Sequence, residues 1–134
     1  MSDGRALSAY ATNDVLAMTP AQRVVFLYTQ LVASLKRAQR CLATGDIEDR
    51  STSLCRAQII VHELISALDR DAGGDLARQL ADLYGYFATE IIAVDAQKDA
   101  VRLERLVTMV TPLLSAWERA AQEVDGGQRG VASA

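Results

Sequence analysis

The sequence predicts an all-α protein, an antiparallel four-helix bundle with a loose N-terminal arm and a disordered C-terminal tail. Three observations support this prediction. Apolar residues recur every three or four positions, as on one face of a helix. Helix-breaking residues are widely spaced in the 134-residue chain. Aromatic residues make up only 5%, and there are only 8 Gly and 2 Pro, which disfavours an all-β sandwich. The breakers are Pro20, Gly45, Gly73 with Gly74, the segment 95–99, and Gly126 with Gly127.

The first predicted helix opens with a complete start signal. Thr19 is placed to cap the helix, Pro20 occupies its first position, and Gln22 completes a T-x-x-Q capping box. Gly45 is placed to end the helix, because glycine readily adopts the left-handed conformation that follows many helices. The apolar stripe between these signals predicts the face that packs in the core, and it consists of Val24, Tyr28, Leu31, Leu35, Ala38 and Leu42.

The second predicted helix begins at Asp46, a favourable capping residue, and ends at the Gly73-Gly74 pair. The third helix follows this pair and ends near residues 95–99. Each carries one apolar stripe that we expect to face the core. The stripe of the second helix is Leu54, Ala57, Val61, Leu64 and Leu68, and that of the third is Leu76, Leu80, Leu83, Phe87, Ile91 and Val94.

The fourth predicted helix opens near Asp99, and we expect Pro112 to kink it, since proline removes a backbone donor. Short turns between the helices favour antiparallel neighbours. The predicted domains are an arm at 1–18, a bundle at 19–124 and a disordered tail at 125–134. The core stripe of the fourth helix is Leu103, Leu106, Val110, Leu113, Trp117 and Val124.

The composition disfavours enzymes, metal proteins and nucleic-acid binders. His62 is the single histidine, and Ile59 stands where a di-metal bundle would need a glutamate. The formal net charge of -3 lacks the basic excess that nucleic-acid binding usually requires. We therefore expect no catalytic residue, no metal, no cofactor and no nucleic-acid partner.

The chain shows no signal for export or membrane insertion. Its N-terminus lacks an apolar segment of signal-peptide length, and no uncharged stretch is long enough to span a bilayer. Cys41 and Cys55 do not form a C-x-x-C motif, so we expect both thiols to be reduced and buried. These observations predict a cytoplasmic protein without stable membrane insertion.

Some apolar residues lie off the core stripes of the second and third helices. Ile59 falls nearly opposite the core stripe of its helix, among uncharged neighbours, and the third helix has a second line of mostly small residues. An alanine line can equally face a neighbouring helix of the same bundle, and a single exposed isoleucine is ordinary. If the two lines are adjacent, they form a groove for an added amphipathic helix. The predicted groove residues are Ile59, His62, Ser66, Ala81, Tyr84, Ala88 and Ile92, with Tyr10 and Val15 of the arm as a displaceable cover.

Several short motifs follow one another between Tyr10 and Glu118. They are Ala9-Tyr10-Ala11, Val15, Thr19-Pro20-Ala21-Gln22, Phe26-Leu27-Tyr28, Gly45-Asp46, the run from Arg56 to Leu64, Leu68-Asp69, Gly73-Gly74, the run from Leu80 to Tyr86, Asp99 and Trp117. None is specific alone, but in this order and spacing they resemble the flagellar export chaperone family FliS.

The resemblance implies a cytoplasmic, non-catalytic chaperone. It implies that the partner is the C-terminal segment of flagellin, which is disordered alone and forms helices on the chaperone. It also implies that binding blocks premature polymerisation and helps present flagellin to the type III export gate, whose component FlhA is a further candidate partner. We expect the free protein to be a monomer or a weak dimer.

A second function remains open at this point. The same uncharged line on the second and third helices would suit a non-catalytic structural adaptor that dimerises through it. The two interpretations differ in the expected assembly, a 1:1 complex with a client for the chaperone and a concentration-dependent homodimer for the adaptor.

Overall fold

Four helices follow one another in the computed structural model, which describes the backbone of residues 17–133 and the side chains of 17–69 and 73–124. They are α1 (Pro20–Thr44), α2 (Ile47–Ser66), α3 (Arg70–Gln97) and α4 (Ala100–Ser133), and the described residues contain no strand. The all-α prediction is confirmed. The predicted arm lies outside the described residues, apart from its last two positions.

The start and end of α1 confirm the sequence signals. Thr19 Oγ1 accepts a hydrogen bond from the Gln22 backbone N at 3.2 Å, and Gln22 Oε1 accepts one from the Thr19 backbone N at 3.1 Å. The Gly45 backbone is left-handed, with φ of 78°, and its N–H donates to the Cys41 carbonyl. Two otherwise unpaired donors at the first turn and one carbonyl at the last turn are thereby satisfied.

The link between α2 and α3 differs from the prediction. The second helix ends at Ser66 rather than at the glycine pair, and the chain turns at 67–69, where Leu68 packs against the core. Gly74 instead interrupts the beginning of α3, with φ of 55° and ψ of -129°. This backbone conformation is open to glycine and strained for other residues. The pair therefore breaks the third helix instead of ending the second.

The last helix begins after a capping residue. Asp99 caps it, since its Oδ1 accepts a hydrogen bond from the Arg102 backbone N at 3.0 Å. The helix continues on both sides of Pro112, and its assigned range extends to Ser133. The side chains beyond 124 lie outside the described part, so the disordered tail expected at 125–134 stays a prediction.

The four helices form an antiparallel ring in which α1 contacts α2 and α4, and α3 contacts the same two helices. Leu76 and Val124, predicted as core residues, are exposed instead, because each lies near a bundle end where no neighbouring helix covers it. Cys41 is buried as predicted, but Cys55 is exposed. The centre of the core consists of Tyr28, Leu31, Leu35, Leu54, Val61, Leu64, Phe87, Ile91, Leu103 and Leu106.

Candidate functional site

Polar contacts join α2 and α3 along their length. Gln58 Nε2 donates a hydrogen bond of 2.6 Å to the Ala88 carbonyl. Nearer the start of α2, Arg50 Nε and Ser51 Oγ both bind Asp95 Oδ1 at 3.1 Å. Because later residues of α2 pair with earlier residues of α3, the two helices are antiparallel neighbours. The two helices that carry the off-stripe lines are therefore adjacent.

A shallow groove runs along the outer face of this helix pair, and we call it the α2–α3 groove. Ile92 of its lining is 64% exposed. Ile59, one helical turn beyond the lining residue Cys55 on α2, is 57% exposed. The groove has one charged lining residue, Asp95, which is paired with Arg50. The surface is thus largely uncharged, whereas solvated helix faces usually carry Lys and Glu. The lining consists of Ser51, Leu54, Cys55, Gln58, Ile91, Ile92, Asp95 and Ala96.

The other predicted groove residues fall on both sides of this pair. His62 and Ser66 are exposed on α2, where Ser66 Oγ donates to the His62 carbonyl at 3.0 Å. Ala81 and Ala88 are half-buried on α3. Tyr10 and Val15, the predicted cover, lie outside the described residues.

Tyr84 differs from the other predicted groove residues because it is 2% exposed and belongs to the core. Its hydroxyl oxygen lies 2.9 Å from that of Tyr28, within hydrogen-bond distance, and its ring packs on Phe87. The side chain therefore points into the bundle and is not part of the surface of the groove. A polar partner on α1 makes this burial favourable for a phenol.

The lining and the predicted set have only Ile92 in common, so seven lining residues are absent from the prediction. Cys55 and Gln58 are two of these seven, and both lie on α2. Cys55 precedes Ile59 by one helical turn, and this spacing indicates that the two residues share one face of α2. Cys55 was expected to be buried instead, because cysteine is among the residues most often found in protein interiors.

The tyrosine pair also has a distinctive ionisation behaviour. Burial raises the pKa of the Tyr84 phenol well above its usual range, and the hydrogen bond with Tyr28 raises it further. Burial likewise raises the pKa of Tyr28, although hydrogen bonds to Tyr84 and Trp117 offset part of this shift. Both phenols are therefore held in the neutral form in the folded protein.

These raised pKa values predict a loss of stability at alkaline pH. The unfolded phenols ionise near their ordinary value of 10.0, while the folded ones remain protonated. The contribution of the two phenols to the free energy of unfolding is therefore complete below about pH 10 and is lost as the pH rises above that value. Urea unfolding between about pH 8 and pH 11 should show a shallower decline for the Tyr28→Phe/Tyr84→Phe variant. Parallel declines in the two proteins would contradict the assignment.

No group of three or more His, Cys, Asp or Glu residues is placed to hold a metal ion within the described ranges. Among the helices described, none combines the length and apolarity that crossing a membrane requires.

Comparison with known proteins identifies relatives over most of the chain. The flagellar secretion chaperone FliS of Salmonella typhimurium is 27% identical over 106 residues, covering 78% of each chain. That of Bacillus subtilis is 26% identical, covering 86% of this chain and 85% of its own. That of Campylobacter jejuni is 27% identical, covering 87% of this chain and 91% of its own.

The fold has a counterpart among solved structures. A crystal structure described as a flagellar chaperone from bacteria superposes with a TM-score of 0.72 at 21% identity, covering 90% of this chain and 98% of that one. The family model described as flagellar protein FliS matches residues 3–124, which includes all four helices as far as the end of the described side chains. The chain therefore belongs to the FliS family of flagellar secretion chaperones.

Proposed function

We propose that this protein is a cytoplasmic, non-catalytic export chaperone for flagellin. It binds the disordered C-terminal segment of flagellin, prevents premature polymerisation and helps deliver the subunit to the flagellar export gate. The observation that carries the proposal is the α2–α3 groove of a chain in the FliS family, a largely uncharged surface in which Ile92 is exposed and beside which Ile59 is exposed.

The groove suits an amphipathic helix. Such a helix places apolar side chains at intervals of three and four residues into a hydrophobic depression. The groove is lined on α2 from Ser51 to Gln58. The face of α2 that also carries Ile59 and His62 extends to Ser66, which makes 16 positions from Ser51, or about 24 Å at 1.5 Å per residue. A client helix of about 16 residues would cover it and bury Ile59 and Ile92.

The expected affinity is moderate, which suits an export chaperone. Burying apolar surface stabilises a complex by roughly 25 cal/mol per Å². Folding a disordered segment on the groove offsets part of this free energy. A client held in this way can dissociate without a chemical energy source. The proposal also retains Tyr10 and Val15 as a cover of the empty groove that the client displaces.

Titration with a purified C-terminal segment of flagellin tests the proposal. Sedimentation velocity should show a largely monomeric chain that shifts to a 1:1 complex. In the same samples, the client should slow alkylation of the exposed Cys55, while Cys41 serves as a buried internal control. If no complex forms and the fraction of homodimer instead increases with protein concentration, the result would favour the structural adaptor.

A further inference from the structure

A second depression lies at the end of the bundle where the α1–α2 and α3–α4 turns meet, and we call it the bundle-end depression. Its volume is about 380 Å³, which is within the range of protein sites that enclose small molecules or side chains. It shares no lining residue with the α2–α3 groove. Its lining includes Leu42, Ala43, Ile47, Arg50, Lys98 and Ala100.

The bundle-end depression combines apolar surface with positive charge. Leu42 and Ala100 supply apolar walls, and Ile47 is 57% exposed beside them. The lining contains two basic residues, Arg50 and Lys98, and no acidic residue, although the chain has a formal net charge of -3. A partner group that is complementary to this surface has an apolar body and a negative charge.

Arg50 is a buried cation whose guanidinium has spare donors. The residue is 7% exposed, and its Nε binds Asp95 Oδ1 at 3.1 Å. Its terminal N–H groups have no acceptor within the described residues, and no nitrogen of Arg50 is an enclosed atom without a partner. These N–H groups therefore open to solvent, and the bundle-end depression is the opening that Arg50 lines. A carboxylate in the depression would supply strong acceptors.

Lys98 adds a second cation at a strained position. Helix α3 ends at Gln97, and Lys98 follows with φ of 52°, the left-handed conformation that glycine usually supplies after a helix. This conformation is unfavourable for residues that carry a Cβ atom. The Lys98 ammonium forms no ion pair within the described ranges. The chain thus holds an unpaired cation beside Arg50 where glycine would be more stable.

We propose that the bundle-end depression is a docking site for a partner segment in which an acidic side chain is flanked by aliphatic ones. The carboxylate binds between Arg50 and Lys98, and the aliphatic neighbours pack on Leu42 and Ile47. A peptide segment suits the site because the exposed Ile47 extends the apolar surface to its rim. Since the depression is separate from the α2–α3 groove, this partner binds whether or not a client is held, and the inference does not depend on the identity of the client.

Titration of the isotope-labelled full chain with the peptide acetyl-Gly-Leu-Glu-Leu-Gly-amide tests the proposal. Nuclear magnetic resonance should show saturable shifts of the Ile47 and Ala100 backbone amides. The same peptide with Gln in place of Glu should bind about tenfold more weakly, because the charge-assisted hydrogen bonds are lost. Equal Kd values for the two peptides, or no saturable shifts, would overturn the proposal. Hexanoate binding as tightly as the Glu peptide would overturn it in favour of a small carboxylic acid.

Replacing Lys98 separates its role in binding from stability. Lys98→Gly should raise the Tm by about 3 °C, because glycine adopts the left-handed conformation without strain. The same variant should weaken binding of the Glu peptide about fivefold, since one of the two cations is removed. A protein that is more stable and binds more weakly is not misfolded, so this combination identifies a direct contact.

The second lysine of the chain provides the matched control. Lys36 is exposed on α1 and does not line the bundle-end depression. Lys36→Gln and Lys98→Gln change the net charge equally, but only the second should weaken binding of the Glu peptide. Equal losses in the two variants would attribute binding to net charge alone and overturn the docking site. An unchanged Kd for both Lys98→Gly and Lys98→Gln would do the same.

Discussion

Replacing Ile59 by Glu should abolish capture of the flagellin C-terminal segment and leave the Tm nearly unchanged. The side chain is 57% exposed, so a surface substitution here alters the free energy of unfolding by less than about 0.5 kcal/mol. In the complex, the carboxylate would be buried against apolar client side chains without a partner. That desolvation should weaken the Kd by roughly 100-fold or more.

The chain offers a matched control for this variant. Ile47 is the same residue type, is also 57% exposed and lies on the same helix, but it lines the separate bundle-end depression near the turn between α1 and α2. Ile47→Glu should therefore bind the client as the wild type does, measured by the same calorimetric titration. Full binding by a folded Ile59→Glu variant, or equal losses in the two variants, would contradict the assignment of the groove.

The largest loss of stability should follow replacement of Phe87 by Ala. Phe87 is 0% exposed and contacts the ring of Tyr84 at the centre of the core. Removing a fully buried phenyl ring leaves a cavity and should lower the free energy of unfolding by about 3–5 kcal/mol. Since domains of this size are stable by about 5–15 kcal/mol, a measurable unfolded fraction is expected. Urea unfolding monitored by circular dichroism gives the value.

The adjacent residue provides the comparison. Tyr86 is exposed, and its ring touches Phe87 from outside with a centroid distance of 6.3 Å. Tyr86→Ala should change the free energy of unfolding by about 1 kcal/mol or less. Similar losses at the two positions would place Phe87 outside the core.

Much of the fold could be predicted because its signals are local. The capping box at Thr19 and the left-handed Gly45 depend on a few adjacent residues, and apolar periodicity depends on the geometry of one helix. The end of α2 could not be placed in this way. Its position is set by Leu68, which packs against a core built from distant parts of the chain, whereas the glycine pair gave the stronger local signal.

Part of the candidate site could also be predicted from local signals. Spacing on single helices indicated Ile59 and Ile92, and the structure leaves both exposed. Spacing could not tell that Tyr84 turns inward, because that orientation depends on the hydroxyl of Tyr28, 56 residues away in sequence.

The contact between Tyr28 and Tyr84 has a consequence for the uniqueness of the bundle. Leu and Ile stripes tolerate sliding of one helix past another, since one aliphatic contact resembles the next. A slip of one turn between α1 and α3 would separate the two hydroxyl groups, now 2.9 Å apart. It would leave the buried Tyr84 hydroxyl without this partner, at about 1–3 kcal/mol. The tyrosine pair therefore favours one alignment of α1 and α3 over alignments shifted by one helical turn.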